Sequence, residues 1–140
     1  MVFIHSFLRL WQLVSGYNME EYKYFKIEDF DCQASGNNEM EPSFIHKLDQ
    51  LRDACGFPFI ITSGYRDPEL HPIEAAKQKK PGGKPGQHSY GIAADIMVNG
   101  GSQRMTIVKH AAALGFTGIG IHKQFIHVDT RQSTPMLWGY

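Results

Sequence analysis

Cysteine is scarce: Cys32 and Cys55 are the only two in 140 residues. That is too few for a disulfide framework, and they lack the paired short spacing of a zinc knuckle or finger. Both read as buried or free thiols. Neither sign of charge is in excess, since 14 Lys plus Arg stand against 14 Asp plus Glu. The balance removes the electrostatic argument for nucleic acid, and any polymer this chain binds must be recognised locally. No apolar run reaches the roughly 20 residues that a membrane-spanning helix needs. The most apolar stretch, residues 1–17, is interrupted by His5, Arg9 and Gln12. It also lacks a basic n-region and a small-residue cleavage site, so neither stable membrane insertion nor a secretory signal is expected. No internal repeat is visible.

What remains is the profile of one ordinary domain, 42% hydrophobic, whose length suffices to bury a core. A monomer is expected. Phe3, Phe7, Leu10 and Val14 fall at helical spacing, so the first residues read as an amphipathic helix. A second methionine, Met19, opens a polar run. Residues 1–18 are therefore expected to be an N-terminal appendage or an over-called start, and 19–140 a single domain.

Glu41-Pro42-Ser43 opens a helix, with proline early where its missing N–H costs little. Ile45, Leu48, Leu51 and Ala54 form its buried stripe until Gly56 ends it. Residues 57–62 read as a short strand, 77–86 as a lysine-, glycine- and proline-rich loop, and 92–98 as a second strand. Ser102 is a fair N-cap for a helix carrying Ile107, Val108, Ala111 and Leu114, closed by Gly115. Residues 118–121 and 125–130 are two more strands, joined by a tight turn at His122-Lys123-Gln124. Helices and strands mix without regular β-α-β alternation, so the class is α+β: a small, mainly antiparallel sheet with flanking helices.

Two segments concentrate chemistry. In Gln87-His88-Ser89-Tyr90-Gly91-Ile92-Ala93-Ala94-Asp95, an imidazole and a carboxylate share a stretch whose small residues let backbone pass close to an ion. In Phe125-Ile126-His127-Val128-Asp129, alternation puts His127 and Asp129 on one strand face and Ile126 and Val128 on the other. Two imidazoles and one carboxylate suit a divalent ion and leave a fourth position for water, as in catalytic rather than structural zinc sites. Seven histidines in a chain of this size also make chance His/Asp neighbours common, so spacing alone leaves a metal and a merely structural role both open. His5, His46, His71 and His110 have no partner pattern and read as structural.

Ser63-Gly64-Tyr65-Arg66, then Gln87-His88 through Gly91 and Ala93 to Asp95, then Gly118-Ile119-Gly120-Ile121 leading into residues 125–129, resemble the ordered motifs of one family. These are the D-Ala-D-Ala carboxypeptidase-like zinc metallopeptidases (the LAS group), related to the hedgehog domain and the vancomycin-resistance dipeptidases. The match runs from about residue 24 to 131, and residues 24–32 resemble the opening of the short phage-endolysin and bacterial members. The resemblance implies a hedgehog-like fold, Zn2+ as cofactor with His88, Asp95 and His127 as ligands, and peptidoglycan peptide as substrate. It implies synthesis in the cytoplasm with action at the cell wall. Arg66 would hold a substrate carboxylate or steady the polarised carbonyl, with Ser63 and Tyr65 beside it at the substrate.

The general base is where this chain departs from relatives. Some place a carboxylate three residues before the last zinc histidine, here Gln124; others place a histidine two before it, here Phe125. Asp129 comes first, as base or as a carboxylate orienting His127, and His122 next. An alternative of a different class is a zinc-binding recognition or structural module with weak or no hydrolysis. Lys77, Lys79, Lys80 and Lys84 form either a solvated loop or a rim attracting anionic wall polymer. Trp138 and Tyr140 are either core or a frayed end, or a platform for sugar or peptide.

Overall fold

A computed structural model describes residues 21–140; the expected N-terminal helix and appendage lie outside them. Helix α1, Pro42–Cys55, begins and ends as its sequence signals predict. Pro42 occupies the first turn, and Gly56 adopts a left-handed φ of 77° while its N–H bonds to the Arg52 carbonyl. Phe44, Ile45, Leu48 and Leu51 are its buried side. Each such side chain stabilises the fold by roughly 1.5–3 kcal/mol on full burial.

Strand β1 is only Ile61–Ser63, shorter than expected. Pro58 has no N–H to pair, and the Phe57 and Phe59 rings pack 5.7 Å apart beside the core instead of extending a ladder. A helix, α2, spans Pro72–Gln78 where the loop was expected to begin at 77. Its first turn carries Pro72 and is capped by His71, whose Nδ1 accepts the Ile73 N–H. Its one fully buried side chain is the charged Glu74, so no apolar stripe betrays it. A 3-10 turn at Gln87–Tyr90 leads into β2, Ala93–Met97. Helix α3, Gly101–Ala113, starts one residue before the expected Ser102 cap; Gly100 takes that place, with the Gln103 side chain accepting the Asn99 N–H at 2.9 Å. Strands β3, Gly118–Ile121, and β4, Phe125–Asp129, form the expected hairpin.

An unexpected strand, β5 at Met136–Gly139, completes the sheet. The order is β1-β2-β4-β3-β5. The first three ladders are antiparallel, but β5 lies parallel to β3, so the α+β class stands with a sheet that is mixed. One face, bearing Ala94, Ile96, Ile119, Ile126 and Val128, is buried in the core with residues of α1 and α3. The other face carries polar chemistry. Among the described residues no helix is long and apolar enough to cross a membrane. Cys32 and Cys55 are free thiols, the first buried.

Candidate metal centre

Register decides which polar side chains meet. Asp95 on β2 stands directly opposite His127 on β4, and Ala93 opposite Asp129. The His127 Nδ1 atom lies 3.0 Å from Asp95 Oδ1, and His88 Nε2 lies 3.3 Å from the same oxygen. All three side chains are buried, and their candidate donor atoms lie within 4.8 Å of one another. Donor atoms of a tetrahedral zinc site stand about 3.3 Å apart, given bonds of about 2 Å. The set could hold a divalent ion once its widest pair closes towards that spacing.

The outward nitrogens support the same assignment. His88 Nδ1 lies 2.7 Å from the Gly64 carbonyl, which can only accept, so that nitrogen carries the proton and Nε2 keeps its lone pair for a cation. Gly64 reaches this position because it has no side chain: a Cβ there would sit 2.6 Å from Phe30 Cα. The 3-10 turn is laced to the same segment, with Arg66 N–H on the His88 carbonyl at 3.3 Å and Ser89 Oγ on the Arg66 carbonyl at 2.7 Å. His127 Nε2 lies 2.7 Å from Asp129 Oδ2, which leaves Nδ1 facing Asp95.

Electrostatics follow from these contacts. Burial pushes the His88 pKa down, keeping the ring neutral as a ligand must be. Burial raises the cost of charge on Asp95 and Asp129 too, but the imidazoles of His127 and His88 beside the first, and His127 with the Arg131 guanidinium beside the second, hold both well below the usual carboxylate range. His127 is buried as well, yet the carboxylates of Asp129 and Asp95 on its two nitrogens lift it above its ordinary value, so a cation binding at Nδ1 would take the place of a proton there.

Asp129 is fully buried. Beyond His127, its carboxylate accepts Arg131 Nε at 2.9 Å and Nη2 at 2.6 Å and the Arg131 N–H at 3.1 Å. It sits behind His127, on the nitrogen away from Asp95. His122 lies in the β3–β4 turn, stacked on Phe125 with ring centroids 4.4 Å apart, its Nδ1 accepting the Gln124 N–H at 3.0 Å. Arg66 reaches the centre from the β1 side: Nη2 is 3.4 Å from Asp95 Oδ2, and Nε donates to Ser63 Oγ at 3.0 Å. Ser63 thus steadies the guanidinium. Tyr65, expected beside the substrate, is packed in the core with its N–H on the Phe30 carbonyl, and burial pushes its phenol up to about 12. The chain alternates around Gly64, so while Arg66 points to the site its neighbour is sealed inside.

Four further residues shape the site: Gly118 and Gly120 from the motif at 118–121, Trp138, and Arg131, which no motif singled out. Arg131 continues the period-two series His127, Asp129 and was legible by that spacing. Gly118 and Gly120 alternate with Ile119 and Ile121, so that glycine faces the site and isoleucine the core. A Cβ at Gly118 would overlap the Asp129 carboxylate, and one at Gly120 would lie 2.7 Å from the Trp138 ring. Trp138 itself lies 5.2 Å from the His127 ring, centroid to centroid, and the Arg131 guanidinium stands over the indole at 4.9 Å. Of the loop lysines, Lys77 belongs to α2 and pairs with Glu74 at 3.2 Å, whereas Lys79, Lys80 and Lys84 are exposed.

A buried His-Asp-His set at a sheet face, with an arginine at its edge, could hold a single metal ion and has the donor types of a catalytic zinc site. The family model described as Peptidase M15 matches residues 23–129, and the chain belongs to that family of zinc metallopeptidases. No curated protein matches the chain.

Proposed function

We propose that the protein hydrolyses peptide bonds in the peptide part of peptidoglycan, as a D-Ala-D-Ala carboxypeptidase or a cell-wall endopeptidase of the endolysin kind. The observation that carries the metal-dependent part is the pair of outward histidine nitrogens. Each is pinned by an acceptor, so that both lone pairs turn towards Asp95. The substrate class rests on the motif resemblance.

In this reading His88, Asp95 and His127 hold Zn2+. The chemistry a bound zinc ion supplies is Lewis acidity, lowering the pKa of a water and polarising the scissile carbonyl. Gly64 and Asp129 fix the two rings; Asp129, whose oxygens are taken up by His127 and Arg131, is assigned to orienting its histidine. Arg66 is mostly covered, with 16% of its side chain exposed, and its remaining N–H groups would face a substrate carboxylate or a developing oxyanion. His122 Nδ1 accepts the Gln124 N–H, which leaves Nε2 as the ring nitrogen that would donate to a substrate oxygen.

The same observations favour a second reading. Neither candidate base is left open: Asp129 is sealed by Arg131, and His122 presents a donor. A metal-binding module with little hydrolysis would look like this. The test is zinc content of the purified chain, together with mass analysis of muropeptides after incubation with peptidoglycan. One bound zinc with new peptide termini supports the peptidase, and the fragment masses name the bond. One bound zinc with intact muropeptides supports the module, and a chain without zinc sinks both.

A further inference from the structure

The 14 acidic residues are not spread evenly along the chain: twelve fall within residues 1–74. The other two, Asp95 and Asp129, are buried in the metal centre. Residues 75–140 therefore present no Asp or Glu to solvent, yet they hold eight of the 14 Lys and Arg. Half of those eight are packed into residues 77–84, Lys-Gln-Lys-Lys-Pro-Gly-Gly-Lys. Among the described residues the Lys and Arg ion pairs are Lys23–Asp53, Arg66–Asp95, Lys77–Glu74 and Arg131–Asp129. Lys79, Lys80 and Lys84 are exposed and have no carboxylate partner among those residues. The nearest exposed acid in the chain is Glu69, before α2.

These three charges sit on a fixed turn. The Gly83 N–H bonds to the Lys80 carbonyl at 2.8 Å, with Pro81 and Gly82 at the corner and Gly82 at a left-handed φ of 69°. Such a turn brings the Cα atoms of Lys80 and Gly83 within about 7 Å, so Lys79 and Lys80 come beside Lys84. The turn is folded back on the end of α2: a Cβ on Gly83 would lie 2.0 Å from the Lys77 carbonyl oxygen. Fully buried Glu74 clamps both ends, accepting Lys77 Nζ at 3.2 Å and the Gly86 N–H at 3.1 Å. His88 follows Gly86 by two residues, so the turn is anchored directly ahead of a metal donor. Holding three unpaired like charges together opposes folding. A merely solvated loop gains nothing from that arrangement, whereas a ligand of opposite charge does.

Resting on the wall-hydrolase reading, we infer that residues 79–84 are a docking site for an anionic wall polymer, a polyol-phosphate chain, held by Lys79, Lys80 and Lys84. Lysine without arginine suits a row of phosphates on a flexible chain, because an ammonium is a compact charge that imposes no planar fit. Residues 77–87 contain no aromatic side chain on which a base could stack, and no large apolar one to enter a lipid surface. The docking site takes no part in bond cleavage. It keeps the metal centre at the wall between cleavage events, and because it acts through exposed charge, salt releases it.

The test measures, by fluorescence anisotropy, binding of a labelled glycerol-phosphate oligomer of about ten units to the purified full chain, from about 50 to about 200 mM salt. Three phosphate contacts, at roughly 0.7 each as for a single strand, give a slope of about −2 in log K against log salt, a loss of about 20-fold over that range. Lys79→Gln, Lys80→Gln and Lys84→Gln combined are expected to bring the slope near zero and to weaken binding at the lower salt by about tenfold or more. A charge-matched variant at exposed lysines elsewhere, Lys26→Gln, Lys109→Gln and Lys123→Gln combined, retains the slope. Absence of wild-type binding at the lower salt, or equal loss in the two variants, overturns the inference. So does tighter binding to single-stranded DNA of equal charge or to phosphatidylglycerol vesicles, which would make the partner a nucleic acid or a membrane. Both variants are expected to keep wild-type zinc content and cleavage of a soluble muropeptide; loss of either in the loop variant overturns the docking role, since the turn would then serve the metal centre. The two readings fail separately: polymer binding without muropeptide hydrolysis sinks the peptidase and leaves the docking site, and hydrolysis without polymer binding does the reverse.

Discussion

The two faces of one sheet show how closely a fold and a site can be interleaved. Along β4, Ile126 and Val128 point into the core, while Phe125, His127 and Asp129 point to the metal centre. Along β3, Ile119 packs into the core, while Gly118 and Gly120 give way to Asp129 and Trp138. The core face tolerates any well-packed apolar set of similar volume, because dispersion and burial are not directional. The site face depends on atoms at stated distances. A one-residue slip in register would exchange the two faces, so the core is what holds the chemistry in place.

The largest expected break of that comparison is on the site face. His127→Ala removes one of three donors, and both zinc content by elemental analysis and hydrolysis should fall to background. The core face stays intact, so far-UV circular dichroism keeps its native shape. The reverse substitution is Ile126→Ala on the neighbouring residue, expected to cost about 2–5 kcal/mol in urea unfolding while the protein that remains folded still binds one zinc. If Ile126→Ala instead empties the site without lowering stability, the two faces are not separable. A smaller effect sharpens the role of Asp129. Asp129→Asn should weaken zinc binding by about 10–100-fold, measured by chelator competition, and retain turnover once zinc is saturating. Loss of turnover at full zinc loading would restore Asp129 as the base.

The smallest effect lies beside the site, at Asp67. Its carboxylate accepts the Asn37 side chain at 2.8 Å and the Glu69 and Leu70 N–H groups at 2.9 and 3.0 Å, which together hold its pKa below the usual carboxylate value. A depressed folded-state pKa means that the carboxylate stabilises the fold above its unfolded pKa of about 4, and that this is lost as pH falls through the lower folded value. Asp67→Asn should therefore narrow the stability difference between pH 7 and pH 3 in thermal unfolding. An unchanged difference would mean that the loop before α2 does not depend on that charge.

Much of this was legible one residue type at a time. Pro42 and Gly56 bracket α1 because their backbone preferences act locally, and the alternation in residues 118–121 and 125–129 sorts core from site by period alone. The donor set was legible through motif order, and Arg131 could have been found by extending the same alternation. Tyr65 could not be placed, since only the close approach of Gly64 to Phe30 decides that it turns inward. Helix α2 was hidden because its buried contact is an ion pair rather than an apolar stripe.

The sequence by itself determined the elements with local or periodic signals and the chemical types available for a metal: two imidazoles, one carboxylate and a guanidinium. Tertiary structure alone decided that Asp95 faces His127 across a ladder, that Asp129 is sealed by Arg131 behind its histidine, and that the last strand runs parallel to β3 and brings Trp138 to the metal centre. Those outcomes depend on pairing between segments far apart in the chain. No local preference encodes which partner a strand will take or from which side a side chain will arrive.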